Sequence, residues 1–141
     1  MKKKVLDTIA DPDLAVYAVW VTVLGRLSPQ ALGGAARSGA KRLADPRVVH
    51  TLDAEVWLGA AYGRGLGLPE HAVAWDVYLL FDRTVRWDDA PPPPKRWMHQ
   101  LSDAAAYTEL QLDAGKLAEQ VRELLAARTS KREDGAPAKV Q

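Results

Sequence analysis

Asp53, Asp76 and His99 are the residues of this chain whose types could handle protons or metal ions, with His50 as a further imidazole. Indoles accompany them. Trp75 precedes Asp76, Trp97 stands two residues before His99, and Trp87 opens the run Trp87-Asp88-Asp89. A set made of His99, Asp53 and Asp76 suits a divalent metal such as zinc, iron or manganese. In a metal-free variant His99 would carry the proton, because imidazole is the side chain that ordinarily titrates nearest neutral pH. A binding surface would use the same acids and rings, with Asp53, Trp75, Asp76, Trp87, Trp97 and His99 facing a protein partner or a small molecule. The structural alternative gives these groups local duties. Asp53 caps a helix, Asp76 bonds loop backbone and His99 donates to a carbonyl.

The elements that must position these residues can be read from local pattern. The segment Leu14–Leu24 is nearly uninterrupted in apolarity and rich in valine and aromatic residues, which suits a strand covered on both faces. Ser28 and Pro29 then read as the cap and first position of a helix that ends at Asp45-Pro46. A short second strand occupies Arg47–Asp53. A second helix spans about Asp53 to Tyr62 with Trp57, Ala60 and Ala61 inward, and Gly63, Gly65 and Gly67 terminate it rather than cradle a phosphate. Val73–Phe81, a turn at Asp82-Arg83-Thr84 and Val85–Trp87 read as a hairpin. The tetraproline Pro91–Pro94 is then an exposed stiff connector, with service as a ligand for a proline-binding domain as the other reading. A short helix is expected within Lys95–Leu110, and a last helix carries the stripe Leu117, Val121, Leu124 and Leu125. These boundaries give an N-terminal arm at 1–12 with a loose charged end at Lys2–Lys4, a domain at 13–128, and a disordered polar tail at 129–141.

The resulting order is β-α-β-α-β-β-α, an α/β fold with a central mixed sheet flanked by helices. Its first two strands should be parallel and its last two antiparallel. The stretches "VYAVWVTVL", "DPRVVHTLD", "AWDVYLLFD", "VRW" and "WMHQL" resemble an uncharacterised bacterial thioredoxin-like group that lacks the Cys-x-x-Cys motif. That resemblance implies a thioredoxin-like fold and no particular activity. Thioredoxins carry the dithiol just after the first strand, where this chain has "VTVLGRLSP". With no cysteine in the sequence, thiol–disulfide exchange is excluded, as are thiolate nucleophiles and zinc–thiolate sites.

In this topology one edge of the sheet collects residues 24–29, 51–53, 75–76 and 87–99, which would bring the acids, imidazole and indoles together. The balance of 19 basic and 18 acidic residues offers no electrostatic case for nucleic acid or an anionic membrane. The longest apolar run, Leu14–Leu24, falls short of the roughly 20 residues of a membrane span. A cytoplasmic protein is expected. The leading expectation is a redox-inactive binding or scaffold module with no cofactor. The alternatives are a divalent-metal protein or cysteine-free enzyme at the same edge, and a homodimer formed through an edge strand.

Overall fold

Valine-rich segments 16–21 and 48–53 pair as expected. In the computed structural model, which describes residues 1–22, 29–101 and 105–133, strand β1 (Val16–Val21) lies parallel to β2 (Val48–Asp53). Val16 stands opposite Val48, and the register runs unbroken to Val21 opposite Asp53. Between them, helix α1 (Pro29–Arg42) crosses over one face. A Cβ at Gly39 of α1 would lie 1.9 Å from the Trp20 ring, so only glycine lets the helix settle on the sheet at this point. Trp20 also donates its indole N–H to Nδ1 of His50 at 3.3 Å, with the two rings stacked. The opposite face is open rather than covered as expected of a central strand. Tyr17 and Val49, paired in register, are both exposed there. Ser28 and residues 24–27, expected at the end of this ladder, lie outside the described residues.

Helix α2 (Trp57–Gly65) turns Gly59, Tyr62 and Gly63 inward, so the expected inward set of Trp57, Ala60 and Ala61 is displaced. It ends in a Schellman arrangement. The N–H of Leu68 donates to the carbonyl of Gly63, the N–H of Gly67 donates to that of Arg64, and Gly67 has φ +71°. The glycines therefore terminate the helix, as their spacing predicts.

The hairpin differs from its sequence reading. Strand β3 (Val77–Leu80) pairs antiparallel with β4 (Arg96–His99), from Val77 opposite His99 to Leu80 opposite Arg96. Val85–Trp87 belongs to the loop. The turn expected at Asp82-Arg83-Thr84 forms, with the Asp82 carboxylate accepting from the backbone N–H and the hydroxyl of Thr84, but no strand returns from it. The N–H of Lys95 donates to Leu80 at 2.8 Å and closes a long loop that contains all four prolines.

A 3-10 segment (Ala105–Leu110) follows, and helix α3 (Ala114–Glu133) runs past the expected end at Arg128, into the segment expected as tail. Leu117 and Val121 of α3 are buried as the stripe predicts. Their partners include Val5 and Ile9 of the N-terminal segment, together with Met98 of β4. The arm is thus part of the core, and its Lys2–Lys4 stretch forms a short 3-10 turn rather than a loose end. Arg47 holds it in place, donating to the carbonyls of Leu6 and Ile9 while forming a two-pronged pair with Asp45. A second cluster joins Tyr62, Leu68, Ala74 and Leu101.

Among the described residues the fold is mixed α/β, with three α-helices and two two-stranded sheets, β1–β2 and β3–β4. The last strand falls at Arg96–His99 instead of the expected Val85–Trp87, and the expected central sheet is divided into these two ladders. No helix among the described residues is long and apolar enough to cross a membrane.

Candidate functional site

Asp53 ends β2, four residues before Trp57, the first residue of α2. Val56 precedes the helix with φ 60°, a left-handed conformation that a β-branched residue rarely adopts. This kink swings the start of α2 back over the Asp53 carboxylate. The N–H groups of Trp57, Leu58 and Gly59 donate to it at 2.9, 2.9 and 3.1 Å. Three of the four donors that a helix leaves unpaired are thereby satisfied by one side chain.

The same turn reaches the start of β3. The carbonyl of Gly59, whose N–H is bound by Asp53, accepts from Ala74 at 2.9 Å. Trp75 and Asp76 follow directly. Asp76 has φ 52°, and its carbonyl accepts from Gln100 at 3.0 Å. Gln100 adjoins His99, which is opposite Val77 in the ladder. Asp53, Trp75, Asp76 and His99 are therefore linked through short backbone bridges near one edge of the fold.

Proximity along the backbone does not make a ligand set. His99 is fully buried, at 0% exposure. Its Nδ1 accepts the N–H of Leu101 at 3.1 Å, which leaves the proton on Nε2 to donate to the carbonyl of Tyr107 at 3.0 Å. Both ring nitrogens are thus engaged with backbone. The Trp97 ring packs on His99 and Tyr107, with centroids 5.6 and 5.5 Å away, and the Tyr107 hydroxyl donates to Gly67 at 2.7 Å. Trp97 and His99 thus form an internal brace between β4, the 3-10 segment and the end of α2. Among the described residues no group of three or more His, Asp or Glu side chains is placed to hold a metal ion, so Asp53, Asp76 and His99 do not meet as metal ligands.

Asp76 acts on its surroundings electrostatically. The Tyr78 hydroxyl is pushed above the ordinary phenol range, first by burial and then by the charge of Asp76. That phenol donates to Gln100 Oε1 at 2.8 Å, tying the two strands at the Asp76 end.

Trp87 sits elsewhere. The chain does not return to the Asp76 end at Val85–Trp87, so Trp87 lies beyond the far end of β3, where its ring meets Phe81. Trp75 precedes the opposite end of that strand. Trp57, expected inward, is 78% exposed, and Trp75 is 41% exposed. With Leu52 they supply the large apolar side chains open to solvent near the Asp53 cap. The signal for Trp57 lay in the spacing of Gly59, Tyr62 and Gly63, the i, i+3, i+4 set that faces the core. Trp57, Ala60 and Ala61 share the same spacing, and the large indole favours that face over one with two glycines.

No protein-family model, curated protein or solved structure matches this chain.

Proposed function

We propose that this chain is a cysteine-free binding module of the cytoplasm, related to the thioredoxin-like class by its order of elements. A protein partner docks on the edge where β2 ends, α2 starts and β3 begins. The supporting observation is a division of labour at that edge. The Asp53 carboxylate is occupied by backbone, and so are both nitrogens of His99, whereas Trp57 and Trp75 present indoles to solvent. Exposed aromatic groups of this kind anchor protein interfaces. An acid–base or metal-dependent reaction would need the polar groups free, and the geometry gives that reading no support.

The test is affinity capture from host lysate with the wild-type protein and with the double variant Trp57→Ala, Trp75→Ala. One partner should be retained by the wild type and lost by the variant, while the melting temperatures of the two stay close because both positions are exposed. Equal capture by both proteins would overturn the reading. So would the absence of any partner from a protein that light scattering shows to be monomeric at every concentration.

A further inference from the structure

The loop between β3 and β4 folds back on its own aromatic residues. Its base is closed by the Lys95 N–H bond to Leu80 and by the ion pair between Lys95 Nζ and Asp82 Oδ2 at 3.5 Å. Above the base, Tyr62, Phe81 and Trp87 form a mutual cluster. Their ring centroids stand 6.4 Å (Tyr62–Phe81), 6.2 Å (Tyr62–Trp87) and 5.7 Å (Phe81–Trp87) apart. The edge-on packing of Trp87 against both rings holds the indole upright while leaving it 55% exposed.

Tyr62 is only 5% exposed, and burial raises its phenol to about 12. A buried hydroxyl needs a partner, and this one donates to the carbonyl of Pro92 at 3.1 Å. Among the four prolines, Pro91, Pro92 and Pro94 are half-buried while Pro93 is exposed. This pattern has the three-residue turn of a polyproline II helix, in which two residues of every three face a surface and the third faces water. No peptide bond among the described residues is cis, as that helix requires. Aromatic rings, a ring-borne donor and a proline carbonyl are the parts by which proteins recognise proline-rich segments. Prolines lack an N–H, so their carbonyls remain unpaired acceptors, and their rigid backbone loses little entropy when bound.

We propose that Tyr62, Phe81 and Trp87 form a polyproline-reading shelf, filled in cis by Pro91–Pro94 and open in trans to a proline-rich segment of another protein. The tethered prolines act as a built-in competitor at an effective concentration of roughly millimolar. The wild-type shelf therefore binds an external segment weakly, and removing the tethered prolines exposes its full affinity. This surface lies at the opposite end of β3 from the edge near Asp53. The lysate experiment with Trp57 and Trp75 and the one that follows can therefore fail separately.

The probe is a decaproline peptide, and the readout is the indole N–H resonance of Trp87, assigned by its loss in Trp87→Phe. The protein is the full chain, as wild type and as the quadruple variant Pro91→Ser, Pro92→Ser, Pro93→Ser, Pro94→Ser. The wild-type resonance should shift only near millimolar peptide. The quadruple variant should saturate at about tenfold lower concentration. Adding Tyr62→Phe to the quadruple variant should weaken binding by about threefold or more, the value of one hydrogen bond. A peptide of alternating glycine and serine should leave the resonance in place. A folded quadruple variant whose Trp87 resonance ignores decaproline overturns the proposal, as does equal response to both peptides. Should the variant fail to fold, the wild-type titration decides alone. A shift specific to decaproline supports the shelf, and none up to several millimolar refutes it.

Discussion

Asp53 shows how a residue with catalytic credentials can be consumed by architecture. Its carboxylate accepts three helix N–H groups, which use most of its acceptor capacity on the backbone. Asp53→Ala should therefore destabilise the protein by about 1 to 2 kcal/mol, the usual range for removing a side-chain cap. Asp53→Asn keeps one acceptor oxygen and should lose less. Urea midpoints at neutral pH give both values, and an unchanged midpoint in Asp53→Ala would show that the cap adds nothing to stability. This role was legible in the sequence as the structural alternative, since aspartate is a favoured cap and the apolar pattern of a helix follows it. The two bonds that fix the His99 tautomer were only half legible. A carbonyl acceptor was anticipated, but its source, Tyr107, and the donor Leu101 are set by tertiary placement around the buried ring. For Trp57 the sequence holds two sets at i, i+3, i+4 spacing, Trp57/Ala60/Ala61 and Gly59/Tyr62/Gly63, and the large indole favours the first until the packing of the glycines is known.

At the scale of elements, the N-terminal arm and the β3–β4 loop owe their positions to contacts distant in sequence, which local pattern does not encode. Lys2–Lys4 draws attention to charge, yet Val5 and Ile9 lie one helical turn apart and pack against α3. Arg47 then fastens this segment to the start of β2, and Asp45 holds the guanidinium with both carboxylate oxygens. The pairing depresses Asp45 from 3.8 to about 2, through the Arg47 side-chain hydrogen bond first and its backbone N–H second. A carboxyl whose folded pKa lies below its unfolded one stabilises the fold fully above the unfolded value. That contribution fades as pH falls through the folded value. Asp45→Asn should therefore be less stable than wild type at pH 7. The gap between them should narrow between about pH 4 and pH 2, where the wild type loses the benefit. Chemical unfolding at pH 7, 4 and 2 checks this, and a gap that stays constant down to pH 2 contradicts it. Asp82 and Asp113 are lowered too, by Thr84 and by the amide groups of Lys116 and Gly115 respectively. Both variants retain those groups, so the difference between the variants isolates Asp45.

For the whole molecule, the order of the first three strands and of the α-helices could be read along the chain, because each of those elements has its own period and its own stops, whereas β4 lies at Arg96–His99 and not at the expected Val85–Trp87. How ladders join could not, since that depends on which strand edges meet, and edge pairing leaves no local mark. Among the described residues β1 pairs only with β2, and β3 pairs with β4. Among the described residues the outer sides of β1 and β3 have no ladder partner, while His99 of β4 bridges Gln111. Amides on a strand alternate between its two sides, so every second amide of β1 and of β3 points away from its partner. Hydrogen exchange followed residue by residue should therefore show alternation along Val16–Val21 and Val77–Leu80, with one set protected and the next exchanging fast. A thioredoxin-like sheet makes the opposite demand. It must join the parallel pair to the antiparallel pair, and the joining strands would be protected at every position. Continuous protection of β1 and β3 would replace the two ladders with one joined sheet. Alternation would uphold the two separate ladders. It would also leave the edges of β1 and β3 open for a second chain to add a strand.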